Sequence, residues 1–180
     1  MENRKLIALE SESGVFLVDE DGVAREFQPA ADNLFVNENT DIRTRYYTYS
    51  TIRKLRTFVV PEGVKAFVSD FLRNTYVVEK FELPNSLLSI GCYSSSAGHY
   101  ESCVFANCIL PKVVIPEGVK MLGDFAFGHS YIDVLQLPTT IRSRYGRQFK
   151  DSHINTLILP VEWYLKYNVR LDDHSLFFRT

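Results

Sequence analysis

A proline-terminated apolar segment recurs along the chain and restricts the fold more than any other feature of the sequence. The prolines that end the copies are Pro61, Pro84, Pro116, Pro138 and Pro160. Successive prolines are 23, 32, 22 and 22 residues apart, so one interval carries about ten extra residues. The repetition predicts about five copies of one structural unit, with a surface insertion near residues 92–103 in a single copy.

Apolar residues occupy the same positions relative to proline in all five copies. The residue directly before proline is Val60, Leu83, Ile115, Leu137 or Leu159. The residue three before proline is Phe58, Phe81, Val113, Leu135 or Leu157, and the residue six before is Leu55, Val78, Leu110, Ile132 or Ile154. Proline cannot donate a hydrogen bond to a strand ladder, so each copy reads as a short strand that ends at its proline.

A unit of about 22 residues with one short strand cannot bury both of its sides. Stacked copies bury a continuous core instead, so we expect a solenoid whose strands form a parallel ladder. A second recurring residue lies eleven positions before the next proline. It is Phe105, Phe127 or Phe149, with Phe71 displaced by two, and the residue three positions later is Cys108, Ser130, Ser152 or Asn74.

Residues 113–130 resemble the BspA-like leucine-rich repeat, a bacterial subclass whose unit runs Leu-x-x-Ile-x-Ile-Pro-x-x-Val-x-x-Ile-Gly-x-x-Ala-Phe-x-x-Cys. Residues 83–91 and 104–108 match the same unit around the insertion, and the resemblance covers about residues 50–160. The copy at 139–152 departs from it with Arg142, Arg144, Tyr145 and Arg147. The resemblance implies a mainly β leucine-rich-repeat solenoid that serves protein interaction or cell-surface adhesion, with no catalytic residues to carry over.

The two ends of the chain do not follow the repeat, and a solenoid needs caps because its end copies expose core. Residues 1–35 are predicted to form an N-terminal antiparallel cap of three strands near 6–9, 15–19 and 23–27, with a hairpin turn at Asp21-Gly22. Residues 36–160 form the predicted solenoid, and the aromatic-rich residues 161–180 a C-terminal cap. We expect all three parts to make one structural domain.

Composition excludes several classes of protein. Apolar residues make up 46% of the chain, enough to favour a folded core over disorder. The formal net charge of −2 provides no global attraction to nucleic acid or an anionic membrane. No apolar run approaches a membrane span, the N-terminus lacks a secretion signal, and three cysteines do not suggest a disulfide framework. The chain as it stands is therefore predicted to be cytoplasmic, or at the cell surface or secreted if an export signal was removed.

Four side chains of metal-ligand type lie within 17 residues: Cys92, His99, Cys103 and Cys108. Their spacings of six, three and four intervening residues include no Cys-x-x-Cys pair. Cys108 also occupies the repeat position held by serine in other copies. We therefore predict one structural core cysteine and two loop thiols, with no metal and no cofactor.

Two further features of the sequence concern nucleic-acid binding and catalysis. Residues 42–56 contain five basic side chains interleaved with three tyrosines, a pattern that can bind single-stranded nucleic acid. With a net charge of −2, a solvated loop is the favoured interpretation. Of the four histidines, only His129 and His153 recur near the repeat spacing, and no nucleophile elbow or phosphate loop is present. The chain is predicted not to be an enzyme.

The function favoured by the sequence is binding by a rigid repeat surface. The partner is predicted to be a protein, with a glycan or a second copy of the chain as alternatives. Side chains between the core positions of the strands should face outward and line the surface. The candidate interaction residues are Glu82, Val114, Gln136, Ile158, Tyr145 and Arg147.

Overall fold

The computed structural model describes residues 5–35, 53–91, 93–94, 99–100, 103–142, 147–162, 170–172 and 175–177. The chain is mainly β, with a single-turn 3-10 helix at Ala31–Asn33. Its strands are β1 (Ile7–Ser11), β2 (Gly14–Val18), β3 (Val23–Pro29), β4 (Arg53–Val59), β5 (Ala66–Phe67), β6 (Thr75–Glu82), β7 (Ser89–Ile90), β8 (Tyr93–Ser94), β9 (His99–Tyr100), β10 (Ile109–Val114), β11 (Met121–Leu122), β12 (Tyr131–Gln136), β13 (His153–Ile158), β14 (Arg170–Asp172) and β15 (Ser175–Phe177).

The proline-terminated segments form the predicted parallel ladder. Strands β4, β6, β10, β12 and β13 lie side by side in that order and make one five-stranded sheet. In the last three strands Val113 is opposite Leu135, and Leu135 is opposite Leu157. Equivalent residues of successive copies therefore lie next to each other, and the chain forms a β-solenoid of about four turns.

The two nearest apolar positions before each proline point into the solenoid. Val60, Ile115 and Leu137 are buried, and Leu83 and Leu159 pack against the same core cluster while remaining partly exposed. The position three before proline is buried in four copies, and Leu157 in the last strand is only half-buried. The predicted alternation of core and outer positions is confirmed.

One predicted core position is wrong by a single residue. Opposite Leu55, the sheet places Val77 rather than Val78, and Val77 is the buried one of the two. The register then shifts, because Thr57 is opposite Lys80 and β6 contains one residue more than β4 between these pairs. This β-bulge accounts for the 23-residue interval between the first two prolines.

A column of buried aromatic rings runs through the solenoid next to the sheet. The rings of Phe105 and Phe127 have centroids 5.2 Å apart, and Phe149 stacks on Phe127 at 5.3 Å with nearly parallel planes. In the first copy this position is held by Leu72 and not by Phe71. The Leu72 N–H donates to the Val104 carbonyl, which is the same backbone contact that the Phe105 N–H makes with the Ala126 carbonyl one copy later. Phe71 packs against the core from a neighbouring position.

Residues of left-handed backbone conformation recur at the repeat spacing, directly before the strands. One column consists of Asn74, Asn107, His129 and Asp151, with φ between 56° and 58°. Asparagine and aspartate tolerate this conformation better than other non-glycine residues. The Asn107 amide donates to Asn74 Oδ1 at 2.6 Å, so the column is joined by side-chain contacts as well.

In three copies the side chain of the next residue, Cys108, Ser130 or Ser152, forms a hydrogen bond to the preceding turn. Ser130 Oγ donates to the Phe105 carbonyl at 2.7 Å and accepts the Cys108 N–H at 3.0 Å. Ser152 Oγ donates to the Phe127 carbonyl at 2.6 Å, and the Cys108 thiol donates to the Leu72 carbonyl at 3.1 Å. All are buried, so each contact satisfies a backbone carbonyl that has no water available.

The glutamates of the two Pro-Glu-Gly-Val segments hold the following turns. Glu62 accepts hydrogen bonds from the backbone N–H groups of Asn85 and Ser86, at 2.9 and 3.0 Å. Glu117 accepts from the Thr139 N–H and hydroxyl in the same way. These backbone donors lower the pKa of the Glu62 carboxyl, because they favour its charged form.

The N-terminal residues form the expected antiparallel strands. Strands β1, β2 and β3 pair in sequence, and β3 then runs parallel to β5, which attaches them to the solenoid. Two buried polar residues close the free edge of β4. The Thr57 N–H donates to Asn33 Oδ1 and the Val59 N–H to Ser13 Oγ, both at 2.7 Å. The first strand of the ladder is thereby prevented from offering open hydrogen-bonding groups at these positions.

The insertion and the C-terminal segment are described in part. Within the insertion, β8 and β9 pair antiparallel, and near the C-terminus β14 and β15 do the same. Trp163, Tyr164, Tyr167 and Phe178, on which the predicted aromatic cap depends, lie outside the described residues. Among the residues that the structure describes, none forms a helix long and apolar enough to cross a bilayer.

Candidate functional site

Four of the six predicted interaction residues form one exposed row, named here the outer row: Glu82, Val114, Gln136 and Ile158. Val114 is opposite Gln136, and Gln136 is opposite Ile158, so the ladder fixes the spacing of these three residues at about 4.8 Å. Glu82 occupies the same repeat position on β6, which pairs with β10 only at Tyr76 and Ile109. Val114 is 39% exposed and Ile158 43% exposed. The row therefore combines two accessible apolar side chains with a carboxylate and an amide on a rigid sheet.

A cleft of about 400 Å³ lies beside the outer row, between β6 and β10. The register pairs these strands only at Tyr76 and Ile109, whereas the other neighbours in the sheet pair over five or more residues. The bulge in β6 changes its alignment, and Pro111 in β10 has no N–H to donate. The interruption of the ladder thus opens the outer face at this position.

The walls of the cleft are partly apolar and partly charged. Phe81, Val114 and Pro116 contribute apolar surface, and Glu82 and Lys112 contribute charges from opposite strands. The Lys80 ammonium group lies 3.0 Å from the Glu12 carboxylate and 3.2 Å from that of Glu82, and these hydrogen bonds raise the pKa of Lys80. An apolar surface with charged margins is typical of a binding site for a polypeptide.

A second exposed cluster lies on the outer face of β12 and β13. The rings of Tyr131 and His153 stack with centroids 4.8 Å apart. Asn155 connects the cluster: its amide group donates to the Tyr131 hydroxyl at 3.0 Å and to Asp133 Oδ1 at 2.9 Å. His153 Nε2 lies 2.9 Å from Asn155 Oδ1. The cluster holds aromatic surface and polar groups in fixed positions.

The remaining two predicted interaction residues do not join the outer row in the structure. Tyr145 lies outside the described residues. Arg147 belongs to the turn before β13, where its guanidinium group donates to Asp124 Oδ2 at 2.7 Å and lies 5.6 Å from the Phe125 ring. An interaction surface that includes Arg147 together with the outer row is therefore not one continuous row of the sheet.

The cysteines and histidine of the insertion are not brought together within the part of the chain that the structure describes. Cys108 is buried in the core as a free thiol, and Cys103 is half-buried. Burial raises the pKa of the Cys108 thiol to about 12, which favours an inert structural role. Cys92 lies outside the described residues, and only the backbone of His99 is described. Across the described ranges, no three His, Cys, Asp or Glu side chains could share a metal ion.

The basic segment at 42–56 is described from Arg53 onward, and its three tyrosines lie outside the described residues. Arg56 forms an ion pair with Glu79 at 2.9 Å, and the Lys54 ammonium group lies 4.5 Å from the centre of the Phe35 ring. Arg53 is half-buried, and this burial lowers the pKa of its guanidinium group. All three described cations therefore have contacts within the protein.

Sequence reasoning missed the cleft and the cluster around Asn155. The signal for the cleft is Pro111, a proline inside a predicted strand, which interrupts ladder pairing. The signal for the cluster is the 22- to 24-residue spacing of Tyr131, Asp133, His153 and Asn155, which brings polar and aromatic residues to neighbouring strands.

Stacked turns with a parallel ladder of short strands, each ending at a proline, define the protein as a leucine-rich-repeat solenoid, a fold that is typically a non-catalytic binding scaffold. A family model described as the BspA type leucine-rich repeat region matches residues 32–100 and 98–167, with six copies. The chain therefore belongs to the BspA-type leucine-rich repeat family, whose members typically mediate protein binding or adhesion. Comparisons with curated proteins and with solved structures gave no match.

Proposed function

We propose that the protein is a non-catalytic module that binds a protein partner through the outer row and the adjoining cleft. The observation that carries this proposal is the alignment of Val114, Gln136 and Ile158 on successive strands, exposed and next to an apolar cleft. Apolar side chains kept accessible in a row are a recognised feature of interaction surfaces. The ladder keeps the row rigid, so little conformational entropy is lost when a partner binds.

The partner's contacts follow from the chemistry of the surface. Apolar side chains of the partner would cover Val114 and Ile158, and hydrogen-bonding groups would meet Gln136. Lys112 is exposed, forms no ion pair within the described part of the chain, and is available for an acidic group of the partner. A contact of this kind buries apolar area at its centre and leaves charges at its margin.

The test is capture of native partners by the tagged chain kept in its source cell, compared with two variants. Val114→Glu places a charge at the centre of the outer row. Ile7→Glu is the matched control, because Ile7 is similarly exposed but lies on the N-terminal strand β1. We expect a protein that is captured by the wild type and by Ile7→Glu and lost with Val114→Glu. Equal capture by all three, or capture of only a second copy of the chain, would exclude this use of the outer row.

A glycan is a second candidate ligand, supported by the cluster around Asn155. Sugars are recognised through hydrogen bonds to their hydroxyl groups and through contacts of their apolar face with aromatic rings. Asp133 and Asn155 offer hydrogen-bonding groups, and Tyr131 and His153 offer aromatic rings. The test is a glycan array probed with the wild type and with Asn155→Ala. Absence of any hit that depends on Asn155 would eliminate this candidate.

A further inference from the structure

A second row of side chains, away from the outer row, combines positive charge with one exposed leucine. It consists of the residues four positions after the first four repeat prolines, namely Lys65, Leu88, Lys120 and Arg142, and is called the basic row. Backbone hydrogen bonds fix its order. The Leu88 N–H donates to the Lys65 carbonyl at 2.9 Å, the Lys120 N–H to that of Leu88 at 3.0 Å, and the Arg142 N–H to that of Lys120 at 2.8 Å. The four residues therefore follow one another at about 4.8 Å per turn.

The members of the basic row are directed to solvent. All four are exposed, and Leu88 is 52% exposed. Within the described ranges, none of the three cations takes part in an ion pair. Glu62 and Glu117, which come three residues before Lys65 and Lys120 in the sequence, accept hydrogen bonds from the following turns. The acidic turn Glu20-Asp21 lies at the Lys65 end, because the Lys65 N–H donates to the Gly22 carbonyl.

The arrangement is unfavourable for the fold taken alone. Lys120 and Arg142 lie on neighbouring turns that a backbone hydrogen bond holds together, so their like charges repel each other. The leucine between Lys65 and Lys120 gains little from burial, since half of it remains accessible. An anionic ligand with an apolar group would relieve both costs, since it would neutralise the cations and cover Leu88.

We propose that the basic row binds an extended acidic segment of another polypeptide. In an extended chain, side chains on one face are about 6.7 Å apart, so residues i and i+4 are separated by about 13 Å. Lys65 and Arg142 are three ladder steps apart, which is about 14 Å. A segment with acidic residues at i and i+4 and an apolar residue at i+2 therefore matches the charges at the ends and the leucine within the row.

The exposed leucine favours a peptide over a nucleic acid as the ligand. A phosphate backbone offers charge but no apolar group at this spacing, and tight nucleic-acid binding uses many cations that the row does not have. The chain's net charge of −2 also gives no long-range attraction to a polyanion. The proposal concerns a different part of each repeat from the outer row and does not depend on the function proposed for that row.

The test uses the full chain and a fluorescent peptide, Thr-Glu-Thr-Leu-Thr-Glu-Thr, with blocked ends, measured by fluorescence anisotropy. Two altered peptides are the ligand controls, one with both glutamates replaced by glutamine and one with the leucine replaced by threonine. We expect binding of the parent peptide that weakens at least tenfold between about 50 and 500 mM salt, because the contacts are exposed ion pairs. Both altered peptides should bind at least threefold more weakly.

Two protein variants locate the site. Arg142→Glu should reduce the affinity at least tenfold, because Arg142 is matched to one of the two glutamates. Lys150→Glu, which makes the same charge change in the turn before β13, should leave the affinity within twofold. Arg142→Gln serves as the milder variant if the charge reversal affects folding, and should still weaken binding about threefold. Equal loss with Lys150→Glu, no binding of the parent peptide, or binding of a seven-nucleotide single-stranded DNA in its place would overturn the proposal. None of these outcomes bears on partner capture by the outer row.

Discussion

The contact made by Ser130 is the clearest place to measure what holds one turn of the solenoid to the next. Its hydroxyl donates to the Phe105 carbonyl and accepts the Cys108 N–H, at 2.7 and 3.0 Å, and the side chain is 2% exposed. Ser130→Ala leaves both backbone groups buried without these partners. Each such group costs about 1–3 kcal/mol, so for the two groups we expect a loss of about 2–6 kcal/mol in the free energy of unfolding.

Two further variants grade the effect within the same column. Ser152→Ala removes the hydrogen bond from the Ser152 hydroxyl to the Phe127 carbonyl and should cost about 1–2 kcal/mol. Ser130→Cys should cost less than Ser130→Ala, because Cys108 already makes the equivalent contact through its thiol. The order of stability is therefore wild type, then Ser130→Cys, then Ser130→Ala as the least stable of the series.

The assay is urea unfolding followed by circular dichroism, with Thr156→Ala as the control, since Thr156 is exposed on the outer face of β13. The control should lie within about 0.5 kcal/mol of the wild type. If Ser130→Ala also lies within that range, or loses no more than Ser152→Ala, the polar contacts between turns do not contribute as argued. An unchanged slope against urea is required for the comparison, because it shows that the exposed area is the same.

The other predictions concern single sites. Burial lowers the pKa of His129 in the folded protein. Its contribution to stability is therefore present above pH 6.5 and is lost as the pH falls through the folded pKa. In His129→Asn, the urea midpoint of unfolding should change less between pH 7.5 and pH 5 than it does in the wild type. Gly118→Ala should lower the melting temperature, because an added Cβ would lie 2.9 Å from the Leu87 carbonyl oxygen, and an unchanged value would refute that close approach. A variant whose only cysteine is Cys108 should react with a thiol reagent no faster than the protein unfolds globally, since this thiol is buried and its pKa is about 12. Fast reaction of the folded variant would contradict this prediction.

The repeating core could be predicted because the same positions relative to proline are apolar in all five copies. Each apolar column is tested again by every copy, so the inward side of the ladder follows from the prolines alone. The bulge in β6 could not be located in this way. Val77 and Val78 are both apolar, and the one extra residue of the interval fits either alignment equally well. Only the pairing of β6 with β4 distinguishes them.

The prediction that Phe71 belongs to the aromatic column is wrong by one residue, because Leu72 occupies that position of the turn. The turn is aligned by its left-handed residues, Asn74 and Asn107, which place Leu72 beside Phe105. The pairs Asn74-Thr75 and Asn107-Cys108 carried this signal in the sequence.

Contacts between distant segments had no signal of this kind. Ser13 and Asn33 close the edge of β4 from positions 24 to 46 residues away along the chain, and no repeat predicts their partners. The cleft depends likewise on the meeting of two irregular strands, β6 and β10, that an insertion separates in sequence. The outer row was predictable because it follows the repeat, and the cleft beside it was not.

The stacking of successive copies in register is tested most directly by cysteine pairs placed across β10 and β12. In a background without Cys92 and Cys103, Val114→Cys with Gln136→Cys puts two thiols on directly opposed residues, at the separation a disulfide requires. Val114→Cys with Val134→Cys is displaced by two residues along the strand and is the matched control. The structure predicts that mild oxidation links the first pair and leaves the second reduced. Preferential linkage of the displaced pair would contradict the register on which the fold and the outer row depend.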